Sequence, residues 1–152
     1  MLRWRKLFIT IAMSAAIVGI VASVYSVKTH YDPNAHSFCS INETFNCDVV
    51  NKSVYSEFLG IPVSVVGIGG YVFLLVGLMY YHTKKDMRWL DAVVIASIIG
   101  VLFSAYLTYI EAYVLYTWCL VCLSSQTAML LLALSSGAVR YIDRNPDPFI
   151  HE

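Results

Sequence analysis

The sequence predicts an all-α integral membrane protein: a four-transmembrane-helix bundle with an extracytoplasmic loop and a short amphipathic capping helix. Three observations predict it. Hydrophobic residues make up 59% of the 152 residues and charged residues only 13%, with a mean hydropathy of +0.67, which is too apolar for a water-soluble domain of this size. Four segments run uncharged for long enough to cross a hydrocarbon core, which takes roughly 17–25 helical residues. One polar stretch, between the first two of these segments, is the only extramembrane part of any size. The chain therefore reads as one membrane domain over 1–152, expected to be a monomer, and its zero formal net charge gives no hint of nucleic acid or an acidic partner.

The four apolar runs extend from Leu7 to Val27, Val63 to Tyr81, Ala92 to Ile110 and Trp118 to Val139. None alternates polar and apolar residues as a barrel strand does, and a helix satisfies its own backbone in lipid, so each is read as a transmembrane helix. The small residues Ser14, Ala15, Ala16, Gly67, Gly69, Gly70, Ser97, Gly100 and Ser104 would let these helices approach closely. The first run exceeds the apolar core of a signal peptide and is read as retained. Tyr25, Tyr31, Tyr80, Tyr81, Tyr109, Tyr113 and Tyr116 are placed as interfacial anchors.

Orientation follows from the basic residues. Arg3, Arg5 and Lys6 precede the first helix, Lys84, Lys85 and Arg88 separate the second and third, and Arg140 and Arg144 follow the fourth. The segment between the first two helices has only Lys28 and Lys52, and the turn from Glu111 to Thr117 has none. Both termini are therefore expected in the cytoplasm, with His82 and His151 as solvated residues on that side. All four cysteines then fall on the opposite, oxidising side.

In the loop and cap region, 28–62, Asp32-Pro33-Asn34 reads as a turn and 37–48 as polar and irregular. Val50, Val54 and Phe58, with Tyr55 and Leu59, recur at helical spacing until Gly60 and Pro62, which predicts the amphipathic capping helix. Cys39 and Cys47 precede that helix in C-x7-C spacing, and either a static disulfide or a redox-active pair fits them. Asn42-Glu43-Thr44 and Asn51-Lys52-Ser53 match the glycosylation triplet, which has meaning only in a eukaryotic secretory compartment.

Cys119 and Cys122, in Trp118-Cys119-Leu120-Val121-Cys122, form a C-x-x-C at the head of the fourth helix. Residues three apart share a helix face, and the unpaired N–H groups at a helix start stabilise negative charge on sulfur. Cys119, at the water-facing end, is placed to meet Cys47, while Cys122 faces the apolar interior. A membrane-dissolved quinone of the menaquinone or ubiquinone class fits that interior as electron acceptor. Gln126, Ser124, Ser125 and Ser64 are candidate donors to it, and Trp118, Phe103 and Tyr106 candidate walls. Glu111 is either a proton relay for the quinone or a solvated interfacial residue, the second reading being the expectation here. A zinc site from the cysteines, with or without His30 and His36, is the minor alternative, because C-x7-C is unlike the close pairs of zinc ribbons.

Taken together, the two loop cysteines, Ser53 six residues after the second, Gly60-Ile61-Pro62 leading into the second helix, and the W-C-x-x-C of the fourth resemble the vitamin K epoxide reductase family, from Leu7 to about Arg140. The resemblance implies a four-helix bundle around a quinone under a capping half-helix. It implies electron transfer from a thioredoxin-like protein to Cys39, through Cys47 to Cys119, and from Cys122 to the quinone, with Ser53 hydrogen-bonded inside the cap. Many prokaryotic relatives carry a fused thioredoxin-like domain, so a separate periplasmic or extracytoplasmic partner is expected for this chain. The implied setting is a prokaryotic plasma membrane, or the endoplasmic reticulum membrane in a eukaryote.

Two positions depart from the animal enzymes. Val63 stands where those have a quinone-binding asparagine, and Gln126 where they have a tyrosine. Quinone-coupled disulfide formation is therefore favoured over reduction of vitamin K quinone or its epoxide. The reading from another class is a non-catalytic tetraspan protein stapled by structural disulfides.

Overall fold

The computed structural model describes residues 2–32, 37–58 and 60–145. Helix α1 (Leu2–Tyr31) leads into the loop, which contains α2 (Cys47–Asn51), a 3-10 turn (Val54–Ser56) and a hairpin of β1 (Glu57–Phe58) with β2 (Ile61–Pro62). Then come α3 (Val63–Lys84), α4 (Met87–Ile110), a π-helical turn (Glu111–Leu115) and α5 (Leu120–Arg144). Among the described residues, four helices are long and apolar enough to cross a membrane, and the chain is a multi-pass membrane protein.

The helices outrun the uncharged segments that predict them. Helix α1 takes in Arg3, Arg5 and Lys6 at one end and continues to Tyr31 at the other, and α5 reaches Arg144. Charge marks where hydrocarbon ends; the backbone ladder continues into the headgroup region. Between α3 and α4 the chain turns in two residues. Lys85, at φ 58°, donates its N–H to Tyr81 O at 2.8 Å, and the Asp86 carboxylate accepts the Arg88 N–H at 3.0 Å as N-cap of α4.

The core is built on the small face of α1. Ala12, Ala15 and Ala16 lie against Tyr71, Leu74 and Leu78 of α3, Val93 of α4, and Ala128, Met129 and Leu132 of α5. Lipid is as apolar as leucine, so close packing rather than exclusion of water holds such helices together. Gly100 fits this reading, since a Cβ there would meet the Met129 side chain at 2.8 Å. Gly69 and Gly70 do not, because both face open space.

The cap differs in detail from the predicted helix. Regular helix covers only Cys47–Asn51, started by Asn46, whose side chain accepts the N–H groups of Asp48 and Val49. Ser53 then donates its hydroxyl to Val50 O at 2.8 Å and Ser56 to Ser53 O at 2.7 Å. These side chains offer the backbone a competing partner, so the apolar spacing from Val50 onward is realised as a 3-10 turn and a hairpin. Gly60, at φ 78°, makes the hairpin turn, with Glu57 opposite Pro62 and Phe58 opposite Ile61. The predicted turn at Pro33-Asn34, His36, Leu59 and His151 lie outside the described residues.

At the end of the bundle that carries both termini, Arg5 pairs with Asp143 at 3.7 Å, and Asp91 with Arg140 at 2.7 Å and Arg144 at 3.7 Å. Tyr81 is fully buried and donates its hydroxyl to Asp143, so it is a packing residue of this end rather than an interfacial anchor.

Candidate active site

The loop is fastened to the head of α5 by backbone. Phe45 and Trp118 form a parallel bridge, with Trp118 N–H donating to Thr44 O at 2.8 Å and Asn46 N–H to Trp118 O at 3.1 Å. Because Asn46 and Trp118 each immediately precede a cysteine, this bridge carries Cys47 to Cys119. Ala22 of α1 leaves room for the sulfur cluster, in which Cys39, Cys47 and Cys119 are all fully buried beside Val50 and Val121, with Cys122 packed against them.

Cys39 and Cys47 are joined in a disulfide, and Cys119 and Cys122 are free thiols. Cys119 is not a first-turn residue at a water-facing end. It is the N-cap of α5, and its Sγ accepts the Cys122 N–H at 3.2 Å. Burial under the loop replaces the solvent contact expected of it.

Below the sulfurs lies a cavity of about 520 Å³. Ser23, Ser26 and His30 of α1 form one wall and Val63, Ser64 and Gly70 of α3 another; Phe103 of α4 and Cys122 and Gln126 of α5 complete it, with Val50, Asn51 and Ser53 of the cap as its roof. The lining is mostly apolar with a few convergent polar groups, the usual make-up of a small-molecule site. Gln126 Oε1 accepts from the Thr108 hydroxyl at 2.8 Å, while its Nε2 is buried with no hydrogen-bond partner among the described residues. Tyr71 closes the floor by donating to Ser125 O at 2.6 Å.

Of the sequence-derived candidates, Val63, Ser64, Phe103, Ser125 and Gln126 line this cavity, as does Ser53. Trp118 and Tyr106 are not among its lining residues. Trp118 is used through its backbone in the bridge, and Tyr106 is 56% exposed on the outside of α4. Ser124 lies on another face of α5, in a groove with Thr10 and Ser14, because a helix turns about 100° per residue. Glu111 corrects the solvated reading: it is 2% exposed and its Oε2 accepts the Cys119 N–H at 3.1 Å. Asn51 of the second glycosylation triplet is also buried, donating from Nδ2 to Thr29 Oγ1 at 3.1 Å.

Three features went unread in the sequence. His30 binds the cap to α1, its Nδ1–H donating to Asn51 O at 2.7 Å and its Nε2 lying 3.5 Å from Glu57. Tyr25 holds the loop by accepting the Phe38 N–H at 3.2 Å. Asp48 takes hydrogen bonds from the hydroxyls of Ser37 at 2.6 Å and Ser40 at 2.8 Å. All three join residues too distant in sequence to leave a local signal. Among the described residues no group of three His, Cys, Asp or Glu side chains is placed to hold a metal ion.

Residues 8–136 match the Vitamin K epoxide reductase family, which is most of the chain. The chain belongs to that family. No curated protein matches it. Vitamin K epoxide reductase family proteins are membrane oxidoreductases that use quinones, and a quinone-linked thiol chemistry in general is the activity this membership carries. The residues here suit a quinone: the cavity is apolar, Cys122 opens onto it, and the unpartnered amide of Gln126 offers a donor for a carbonyl oxygen.

Proposed function

We propose that the chain is a membrane thiol:quinone oxidoreductase that reoxidises a separate thioredoxin-like partner and so supports disulfide bond formation. The observation that carries this reading is the sulfur cluster: an oxidised pair, Cys39–Cys47, packed against a reduced pair, Cys119 and Cys122, above an apolar cavity. That combination is the state expected after the loop pair has taken electrons from the partner and passed them to Cys119 and Cys122. A static framework has no use for two free thiols beside a finished disulfide.

In this reading the partner's dithiol attacks Cys39, Cys47 relays to Cys119, and the Cys119–Cys122 dithiol gives two electrons and two protons to the quinone. Exchange requires the attacking sulfur to reach its target in line. The buried Cys39–Cys47 bond therefore exchanges with the partner only when the 37–40 segment lifts. Gln126 donates from Nε2 to a quinone oxygen, with Val63, Ser64 and Phe103 shaping the pocket. A menaquinone or ubiquinone is the acceptor, and all four cysteines face the extracytoplasmic side with both termini in the cytoplasm, as the basic residues at the terminal end of the bundle support.

Purified chain should oxidise a reduced thioredoxin-like protein only when a quinone is supplied. Oxidation at the same rate without quinone, or none with it, sinks the reading. Substituting vitamin K epoxide as acceptor separates it from epoxide reduction.

A further inference from the structure

A dithiol that reduces a quinone must move two protons as well as two electrons, and sulfur has no path of its own to hand a proton to a ring oxygen. Glu111 stands where such a path is needed. It is 2% exposed, lines the cavity together with Cys122 and accepts the Cys119 N–H at 3.1 Å, while the Cys119 Sγ accepts the Cys122 N–H at 3.2 Å, so the carboxyl sits at the dithiol and within electrostatic reach of the Cys122 thiol. The π-helical turn puts it there. Glu111 O accepts the N–H of Tyr116 and, at 3.1 Å, that of Thr117, which folds the chain back so that Cys119 lies over the carboxyl. Single π turns within α-helices are frequent at functional sites.

The ion pairs of the described residues do not include Glu111. Burying a carboxyl at membrane depth with no cationic partner is costly, and an acid kept there under those terms marks chemistry more often than architecture. The other ionisable side chains lining the cavity are His30, Tyr55, Tyr71 and Cys122, and of these Cys122 belongs to the dithiol whose Cys119 N–H Glu111 accepts.

We propose that Glu111 is a catalytic general base and acid that carries the Cys122 proton to the quinone, an inference that rests on the thiol:quinone reading above. The Cys122 S–H bond breaks and its proton goes to the Glu111 carboxylate. The electron pair of Cys122 passes toward the quinone, and the Cys119–Cys122 bond forms as Cys119 gives up its own proton. Two thiols become one disulfide, and two electrons and two protons reach the quinone, one proton by way of Glu111, which ends as a carboxylate.

Glu111→Gln tests this because the amide oxygen still accepts the Cys119 N–H but the side chain no longer takes up a proton. In single-turnover reactions with a short-chain ubiquinone, the reduced variant should be about 100-fold slower than wild type, the lower end of general acid–base effects. Reduction of its Cys39–Cys47 disulfide by dithiothreitol should stay within about twofold of wild type, since Glu111 is not bonded to that pair. The second readout needs no quinone: the rate of Cys122 alkylation by iodoacetamide against pH should lose in Glu111→Gln the inflection that Glu111 gives the wild type. Quinone reduction at the wild-type rate, or an unchanged alkylation profile, overturns the assignment. Should the variant not fold, wild type labelled with 13C-glutamate decides: its carboxyl stretching band should change when quinone is added to the reduced protein, and an invariant band overturns the proposal. A wild type that reduces no quinone defeats the thiol:quinone reading instead, and the alkylation profile still judges the Glu111–Cys122 proton contact.

Discussion

At the end of the bundle that carries both termini, Arg5, Asp143 and Tyr81 tie α1, α5 and α3 together and Asp91 ties α4 to Arg140 and Arg144, over a core filled by Ile9, Leu90 and Val139. At the other end the same four helices splay around a cavity of about 520 Å³, and a loop bonded through its backbone to α5 covers it. One end closes the bundle with charge pairs and packing, so the other is free to stay hollow and to keep four sulfur atoms together. The same kind of substitution should therefore have different consequences at the two ends.

The largest effect belongs to sulfur. Cys122→Ser should abolish quinone reduction, a loss of at least about 10³-fold on the scale of removed nucleophiles, while thermal unfolding in detergent stays near wild type. Retention of more than a tenth of the activity removes Cys122 from its role. Next comes packing: Leu90 is fully buried in the filled end, and Leu90→Ala should cost about 2 kcal/mol, the low end for such truncations, because lipid rather than water is the alternative environment. Val63→Ala, at the cavity wall, should change stability by under about 0.5 kcal/mol yet raise the KM for quinone. Equal destabilisation by the two would mean that the cavity is not a real difference between the halves. A smaller effect is expected of Tyr81→Phe, which leaves Asp143 with Arg5 alone; a loss of about 1 kcal/mol with unchanged turnover is the expected outcome by denaturation and steady-state assay.

The difference between the ends also explains what the sequence discloses. Transmembrane helices are dictated by the length of their apolar runs, so all four were legible, and their true ends differ where the ladder continues beyond hydrocarbon, to Leu2 and Tyr31 in α1, Lys84 in α3, back to Met87 in α4 and on to Arg144 in α5. The four cysteines were legible as chemistry, since they sit together in the topology. Their geometry was not. A parallel bridge from Phe45 to Trp118 has no local signal, so nothing in the sequence shows that Trp118 serves through its backbone and not as a wall of the cavity. Glu111 reads as a surface residue because it lies near a helix end; only the fold-back at Tyr116, at φ 50°, covers it. The cap misled through Ser53, whose hydroxyl ends the helical ladder that Val50 and Val54 suggest.

The smallest effect concerns what keeps the disulfide loop closed. Burial pushes the Asp48 carboxyl up, but the hydrogen bonds from the Ser37 and Ser40 hydroxyls and the Ser37 N–H, with the charge of Lys52, outweigh it and leave its pKa below the ordinary value of 3.8. A carboxylate whose pKa is lowered on folding stabilises the folded loop fully above its unfolded pKa, about 3.9, and that contribution is lost as pH falls through the lower folded value. Asp48 adjoins Cys47, and its partners Ser37 and Ser40 flank Cys39, so losing the charge should loosen the segment that buries the disulfide. Reduction of Cys39–Cys47 by a water-soluble phosphine, followed from pH 7 to pH 3, should show no Asp48-dependent acceleration down to about pH 5 and should gain one below pH 4. Asp48→Asn, with no charge to lose, should be faster than wild type at neutral pH and lack that acid limb; an acid limb of equal size in the variant would assign the closure of the loop to another group.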